Sequence, residues 1–310
     1  MNISERISMQ LFMNKQELLS FALSSPHRYK VYKIPKRNSS KFRTIAHPSK
    51  ELKFIQRLLI NELSGKLNIH PSSTAYKKGC SIKNNAEVHA NTKYLLKMDL
   101  KDFFPSITPH RFFEECRIQK VEFTKLDTEI LTGFLFWKPR RAKKLILSIG
   151  APSSPLISNF ILFRLDEFIL NYCNGLGINY TRYADDLTFS TDRKEVLFRL
   201  PQQIKKALKS LYNNEIKINS LKTIFSSKAH NRHVTGVTLS NDGKISIGRE
   251  AKRNISVKIH HFSQNLLEAD AVFQLKGHFS HATFIEPLFK IQMINKYGFK
   301  VIEKLIMYGK

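Results

Sequence analysis

The sequence predicts an α+β fold, helices packed with antiparallel strands, and three observations carry that prediction. Strand-prone alternation around turn residues recurs at 29–46, 180–190 and 233–247, which is how hairpins read. Apolar residues at helical spacing fill the stretches between, most clearly at 50–63, 155–169 and 197–212. The 310 residues suffice for one large domain or two to three subdomains with a sizeable core.

In chain order, Leu11, Phe12, Leu18, Leu19 and Ala22 predict an amphipathic helix within residues 1–30, packed on the body. Tyr29-Lys30-Val31-Tyr32-Lys33-Ile34 and Phe42-Arg43-Thr44-Ile45-Ala46 read as strands joined by the polar turn Arg37-Asn38-Ser39-Ser40. Pro48 closes the second strand, and Leu52, Ile55, Leu58, Leu59 and Leu63 line a helix. Residues 75–90 read as loop and then polar helix, with His89 a satisfied structural histidine and not a ligand. An apolar strand, 94–98, ends in Asp99, and Thr108 before Pro109 is an N-cap with a first-turn proline.

Phe134-Leu135-Phe136-Trp137 precedes Lys138, Arg140, Arg141, Lys143 and Lys144, which fits either a nucleic-acid groove or a core segment followed by a solvated loop. Gly150-Ala151-Pro152-Ser153-Ser154-Pro155 is a tight loop, and Ser154 with Pro155 starts a helix carrying Ile157, Ile161, Leu165, Phe168 and Ile169 on one face. The small residues let a backbone or a nucleotide come close. A helix at 197–212 turns Ile204, Leu208 and Leu211 inward, and a strand at 215–218 follows. A strand at 233–239 turns at Asn241-Asp242-Gly243 into 244–247, and a basic helix begins at Arg249, with further helices to Lys310. Residues 213–214 and 226–232 resemble linkers, and no internal repeat or low-complexity tract is present.

Fifty-one Lys and Arg against twenty-five Asp and Glu give a formal net charge of +26. Self-repulsion of that size disfavours a lone compact protein and points to a polyanionic partner, nucleic acid before membrane. No apolar run reaches the roughly 18 residues of a spanning helix, and residues 1–16 lack a signal-peptide core. Cys80, Cys116 and Cys173 are odd in number and form no C-x-x-C pair, as expected of reduced thiols in a cytoplasmic protein without structural zinc.

The chemistry concentrates in Tyr180-Thr181-Arg182-Tyr183-Ala184-Asp185-Asp186-Leu187-Thr188-Phe189-Ser190, an acidic pair in a hairpin turn. Asp suits turns for local reasons, but Asp99 ends another strand far away in sequence. Strand-end carboxylates brought together repel one another unless a multivalent cation sits between them. Three such acids, a basic surface and a small-residue loop opening a helix suit phosphoryl transfer with two Mg2+ ions about 3.5–4 Å apart. Asp99 and Asp185 are the expected bridging ligands, Asp186 a supporting one, and the Leu100 carbonyl a further hard oxygen. Arg43 is either a guanidinium fork for triphosphate oxygens or a solvated strand charge.

With these residues in place, the chain resembles a bacterial reverse transcriptase of the retron type. Tyr183-Ala184-Asp185-Asp186 matches the Y-A-D-D box, Met98 to Ser106 the first catalytic motif, and Gly150 to Pro155 with Ser158 and Asn159 the G-A-P-S-S-P…S-N motif. Arg43, Ile45, Pro48, Lys53 and Gln56 match the fingers motif R-x-I-x-x-P…K-x-x-Q. Asn85-Ala86-x-x-His89 and Val234-Thr235-Gly236 resemble the N-A-x-x-H and V-T-G elements typical of retron enzymes, so the similarity spans roughly residues 30 to 250.

The resemblance implies a right-hand polymerase fold. Residues 1–90 would be an N-terminal extension and fingers, 91–118 and 147–239 the palm, 119–146 an insertion, and 240–310 a mainly helical, RNA-binding thumb. It implies that Phe104 is the steric gate against a ribose 2′-OH, that Asp102 and Phe103 offer amides to the triphosphate, and that Gly150 and Ala151 border the nucleotide. Arg43 would clamp the triphosphate and Lys222 would protonate departing pyrophosphate. Arg249, Lys252, Arg253 and Lys258 would meet RNA phosphates and 2′-hydroxyls. The implied partners are deoxynucleoside triphosphates, a cognate structured non-coding RNA and its branched msDNA product, primed from the 2′-hydroxyl of an internal guanosine. Any antiphage effector is expected on a separate chain. One departure stands out: Leu147-Ser148-Ile149-Gly150 replaces the usual L-P-Q-G, so Ile149 cannot hydrogen-bond a nucleotide as glutamine would.

Two rivals compete with this reading. A group II intron relative would share the catalytic motifs, but the V-T-G and N-A-x-x-H elements argue against it. A non-catalytic RNA-binding scaffold would not need Asp99, Asp185 and Asp186.

Overall fold

The computed structural model of the protein describes residues 1–36 and 40–309. In chain order its elements are α1 (Ile3–Leu11), α2 (Lys15–Ser24), β1 (Tyr29–Pro35), β2 (Phe42–Pro48), α3 (Lys50–Ser64), α4 (Ile82–Ala90), β3 (Tyr94–Lys101), α5 (Phe103–Ser106), α6 (Pro109–Ile118) and α7 (Lys125–Leu135). Next come β4 (Phe136–Trp137), β5 (Ile146–Leu147), α8 (Ser154–Ile161), α9 (Phe163–Asn174), β6 (Asn179–Tyr183), β7 (Asp186–Thr191), α10 (Leu200–Tyr212), β8 (Lys217–Ile218) and β9 (Ile224–Ser227). The chain closes with β10 (Arg232–Val234), β11 (Val237–Leu239), β12 (Ile245–Ser246), α11 (Arg249–Ser263), α12 (Ala269–Ile285), α13 (Leu288–Tyr297) and α14 (Phe299–Met307). The chain divides into two units, Met1–Lys78 with Lys97–Leu187 and Phe198–Thr223, and Gly79–Leu96 with Thr188–Leu197 and Ile224–Lys310.

In the first unit, the single N-terminal helix expected from apolar spacing is two helices. Asn2 and Asn14 each cap a helix, accepting from the amide of Glu5 or Glu17 while that glutamate reaches back to the cap's own amide. Phe12, at φ 53, closes α1 in the left-handed region. The strands β1 and β2 pair antiparallel from Tyr29↔Pro48 to Pro35↔Phe42. The turn expected between them falls, at residues 37–39, outside the described residues. Helix α3 buries Leu52, Ile55, Gln56, Leu59 and Leu63, and Gln56 Nε2 donates to the Phe134 carbonyl at 2.7 Å.

Gly133 of α7 lets α2 approach: a Cβ there would stand 2.1 Å from the Ala22 carbonyl oxygen. Phe134 and Phe136 are fully buried and Trp137 nearly so, so these aromatics are core and not a stacking platform. Lys138, Arg140, Arg141, Lys143 and Lys144 are the exposed loop between the paired strands β4 and β5. The helix expected after Pro155 is interrupted at Leu162 (φ −85, ψ 4) into α8 and α9; Ser153, not Ser154, is the cap position, without a side-chain bond, and Phe168 lies on the exposed face. The sheet of this unit orders β6, β7, β3 and β8, with β3 antiparallel to β8 through Leu100↔Ile218 and Lys101↔Lys217.

In the second unit, α4 packs on β10, β11 and β12 around Ala86, Ala90, Leu95, Val234, Val237 and Leu239. The single strand expected at 233–239 is itself a hairpin. Thr235 (φ 48) and Gly236 (φ 83) form its two-residue turn, Val234 faces Val237, and β12 adds a third strand. Part of the expected linker at 226–232 is strand, since β9 runs on to Ser227 and β10 begins at Arg232. Helices α11 to α14 enclose a core that includes Ile259, Phe262, Leu275, Phe279, Phe289, Ile302 and Leu305. Among the described residues no helix is long and apolar enough to cross a membrane.

Candidate active site

Two strand ends bring the acids together. The Leu100 amide donates to the Asp185 carbonyl at 3.0 Å, and the Asn219 amide to the Asp99 carbonyl at 2.7 Å, so the turn that carries Asp185 is bonded to β3 at the residue after Asp99. Asp99 is buried; its Oδ1 accepts from Asn219 Nδ2 at 3.0 Å and its Oδ2 from Lys222 Nζ at 2.6 Å. Asp185 lies in the turn after Ala184 (φ 57), and Asp186 is the first residue of β7.

Charge crowding is evident in these groups. Burial first, and then the Asp99 charge, hold the Asp185 carboxyl above its ordinary range. Desolvation by neighbouring protein, then Asp185 and Asp99, push Asp186 up to about 6, although the residue is exposed and solvent screens part of the effect. Partial burial works against the charge on Lys222, but the bond to Asp99 and the acids behind it outweigh that and hold its pKa above the lysine value. These are hard carboxylate oxygens in mutual repulsion, a donor set that fits a divalent cation. Among the described residues, however, no three His, Cys, Asp or Glu side chains stand gathered as a ready metal cage. Asp99, Asp185 and Asp186 are nevertheless within electrostatic reach of one another.

The frame behind the turn was not legible in the sequence. Arg182 and Asp166 are both fully buried and pair through Nε to Oδ1 at 2.8 Å and Nη2 to Oδ2 at 2.6 Å. Arg182 Nη1 also donates to Asn159 Oδ1 at 2.9 Å and to the Ala184 carbonyl at 3.1 Å, and the Tyr180 hydroxyl donates to Asp166 at 2.7 Å. A fully buried arginine flanking an acidic turn is thus the strut that holds its backbone. The one signal available was Arg182 itself, a charge inside a strand that otherwise reads as core.

Around the acids, Asp102 leaves β3 in the left-handed region (φ 45, ψ 43) as the N-cap position of α5, which Phe103 and Phe104 open. Phe103 is buried, while Phe104 keeps a partly exposed ring 5.6 Å from it. Leu100 is buried in β3. Arg43 is exposed on β2 and within electrostatic reach of Asp185. Gly150 (φ 122) lies against β2: its missing Cβ would meet Ile45 Cγ2 at 3.1 Å and the Ala46 carbonyl at 3.2 Å. The Ala46 amide donates to the Ile149 carbonyl at 3.0 Å, Ser148 Oγ donates to the Ala46 carbonyl, and Ala151 is buried. The close approach that the small loop permits is therefore, in this structure, that of a backbone.

In the second unit, Arg249 and Arg253 are exposed on α11 and Lys258 half-buried, while Lys252 Nζ is committed to Glu286 Oε1 at 2.5 Å. Lys252, Arg253, Ser256, His260, Lys296 and Tyr297 line an open groove.

An acidic hairpin beside a second acidic strand end, on an α+β sheet, defines a class: polymerases that transfer nucleotides to a nucleic-acid end. Residues 34–239 match the family model described as Reverse transcriptase (RNA-dependent DNA polymerase). Retron Ec83 reverse transcriptase of Escherichia coli is 43% identical over 284 residues, 91% of this chain and 91% of that protein. Retron Ec73 reverse transcriptase of Escherichia coli is 36% identical over 307 residues, 96% of this chain and 95% of that protein. The chain belongs to the reverse transcriptases, of the retron type, and is an RNA-directed DNA polymerase. Its fold is also that of the apo telomerase from Candida tropicalis, with a TM-score of 0.53 at 14% identity over 89% of this chain; the chain spans 57% of that protein's length.

Proposed function

We propose that this retron-type enzyme binds a cognate structured non-coding RNA and copies part of it into DNA from deoxynucleoside triphosphates. Synthesis starts from the 2′-hydroxyl of an internal guanosine, so the product is a branched msDNA, made in the cytoplasm and serving antiphage defence with a separate effector protein. The observation that carries the polymerase chemistry is the backbone bond that sets Asp185 beside Asp99 at adjacent strand ends.

Asp99 and Asp185, with Asp186 and the Leu100 carbonyl in support, are the oxygens that would hold two Mg2+ ions. When bound, those ions would ease deprotonation of the attacking hydroxyl and steady the pyrophosphate. Arg43 clamps the triphosphate, and the amides of Asp102 and Phe103 orient it. Gly150 and Ala151 border the nucleotide on the loop beneath β2. The Phe104 ring excludes a ribose 2′-hydroxyl by bulk. Lys222 Nζ, kept protonated by its acidic neighbours, passes its proton to the departing pyrophosphate oxygen. Arg249, Arg253 and Lys258 neutralise RNA phosphates from the 240–310 thumb, and Lys252 contributes less because Glu286 already pairs with it.

The test is the nucleic acid that co-purifies with the protein from its host. DNA joined to RNA through a 2′,5′ linkage is the expected result. Linear product in repeated preparations would favour an intron-like enzyme, and primer extension surviving Asp185→Asn would overturn the assignment of the acids.

A further inference from the structure

Residues 72–75 are fastened to the strand that leads into the acidic turn. The Arg182 amide donates to the Ser72 carbonyl at 2.8 Å, and the Arg182 carbonyl accepts from the Thr74 amide at 2.8 Å and from Thr74 Oγ1 at 3.1 Å. Asn159 continues the attachment, accepting from Ser73 Oγ at 2.9 Å and donating to the carbonyl of the fully buried Ala75 at 3.0 Å. The next residue, Tyr76, leaves this anchor at φ 59 with its side chain 57% exposed.

Both features are costly to folding. A bulky residue in the left-handed region is strained, and a largely exposed ring recovers little through burial. Glycine would occupy the same backbone without that strain. Strain that folding does not need points to function at the position. The ring lies 6.5 Å from that of Tyr183, tilted by 35°. The phenol is also within electrostatic reach of both Asp185 and Arg43, and a tyrosine hydroxyl is neutral near pH 7.

The division of labour around the site then identifies the ligand. Carboxylates serve the reacting phosphate through a cation, and the guanidinium serves the triphosphate. A neutral aromatic face suits the one remaining part of the substrate, the base. We propose that Tyr76 is a base-stacking residue, packing its ring on the nucleobase of the pair being formed at the acidic turn. The proposal rests on the assignment of Asp99, Asp185 and Arg43 to that site. Stacking is indifferent to sequence because every base offers a π face, so the effect extends to all four nucleotides.

The experiment is single-nucleotide primer extension on defined RNA templates by the full-length protein, with each of the four deoxynucleotides, alongside thermal melting. Tyr76→Ala is expected to raise KM for all four by roughly 5- to 150-fold, the range that loss of one base–aromatic stack gives. Tyr76→Phe should stay within about twofold of wild type. Tyr76→Gly should show the same KM defect with an unchanged or higher melting temperature, because the strain is relieved. Wild-type KM in Tyr76→Ala, a defect as large in Tyr76→Phe, or melting that falls together with activity in Tyr76→Gly would each overturn the proposal. Asp185→Asn separates the two levels. If it abolishes extension while Tyr76→Ala is silent, only the stacking role fails; if it leaves extension intact, the site assignment itself fails.

Discussion

Replacing Arg182 by Met should cost stability and catalysis by separable routes. The guanidinium donates to Asp166 at 2.8 and 2.6 Å, to Asn159 at 2.9 Å and to the Ala184 carbonyl at 3.1 Å. Both partners of the ion pair are 0% exposed, so its removal strands a buried carboxylate beside the Tyr180 hydroxyl. Breaking one side of a buried pair costs about 3–5 kcal/mol, whereas replacing both charges by apolar groups is close to neutral. The double variant Arg182→Met/Asp166→Leu should therefore regain most of the lost stability. In both variants the Ala184 carbonyl lacks its donor, and the left-handed residue ahead of Asp185 is no longer tied down. Denaturant unfolding and steady-state primer extension read the two effects apart: stability should recover in the double variant, while kcat should stay at least about tenfold low in both, the consequence of a small misplacement of reacting groups. A loss under about 1 kcal/mol in the single variant would refute the energetic argument. A double variant that regains kcat with stability would show that Arg182 only fills space.

Three further outcomes test the site and the basic helix α11. Asp186 has a folded pKa of about 6 against an ordinary 3.8, so its ionised form is the one disfavoured in the folded chain. The penalty is absent below about pH 4, grows through pH 6 and is complete above it. Asp186→Asn should accordingly add stability of order 1 kcal/mol at pH 7.5, once solvent exposure is discounted, but none at pH 4, seen as a rise in melting temperature at the higher pH only; equal shifts at both pH values would contradict the reading. Phe104→Ala should raise ribonucleotide incorporation relative to deoxynucleotide by at least about tenfold in competition assays, with little change in melting because the ring is only partly buried. Arg253→Ala should lower the slope of log affinity for structured RNA against log salt by about 1, whereas Lys252→Ala, already paired with Glu286 at 2.5 Å, should change the slope by less. Anisotropy titrations over a salt series would measure both.

What the sequence revealed and what it hid follow from the range of the interactions. The acidic hairpin, the helix of 50–64, the Thr108–Pro109 cap and the basic helix at Arg249 depend on local spacing or capping, and each is where the sequence put it. The breaks at Phe12, Leu162 and Thr235-Gly236 were missed because apolar spacing runs straight through them, while caps and left-handed turns decide. Long-range partnerships were hidden for a different reason. Arg182 and Asp166 read as isolated charges in two separate segments, and nothing in their spacing says that they face each other in a dry interior. At the basic loop of 138–144 the sequence left two readings open, a stacking surface or a core segment followed by a solvated loop, and the buried aromatics select the second.

The two elements that resemble the retron pattern in sequence, Asn85-Ala86-x-x-His89 and Val234-Thr235-Gly236, pack together. Ala86 and Val234 share a hydrophobic cluster, and Asn85 Nδ2 donates to Thr235 Oγ1 at 3.4 Å. His89 is fully buried against Ser190 Oγ at 2.7 Å, and burial lowers its pKa to about 3, so it is neutral throughout the working range and serves as a fixed hydrogen-bonding partner. The pairing of the motifs, some 150 residues apart, is then a packing requirement: a small residue on α4 matches a tight hairpin in β10 and β11. Val234→Ala opens space in that cluster and Ala86→Leu overfills it, each costing on the order of 1–3 kcal/mol. Together they should cost less than the sum, with a coupling of about 0.5–3 kcal/mol in a double-mutant cycle read by denaturant unfolding. Additivity within about 0.5 kcal/mol would mean that the two motifs sit in one cluster without sensing each other.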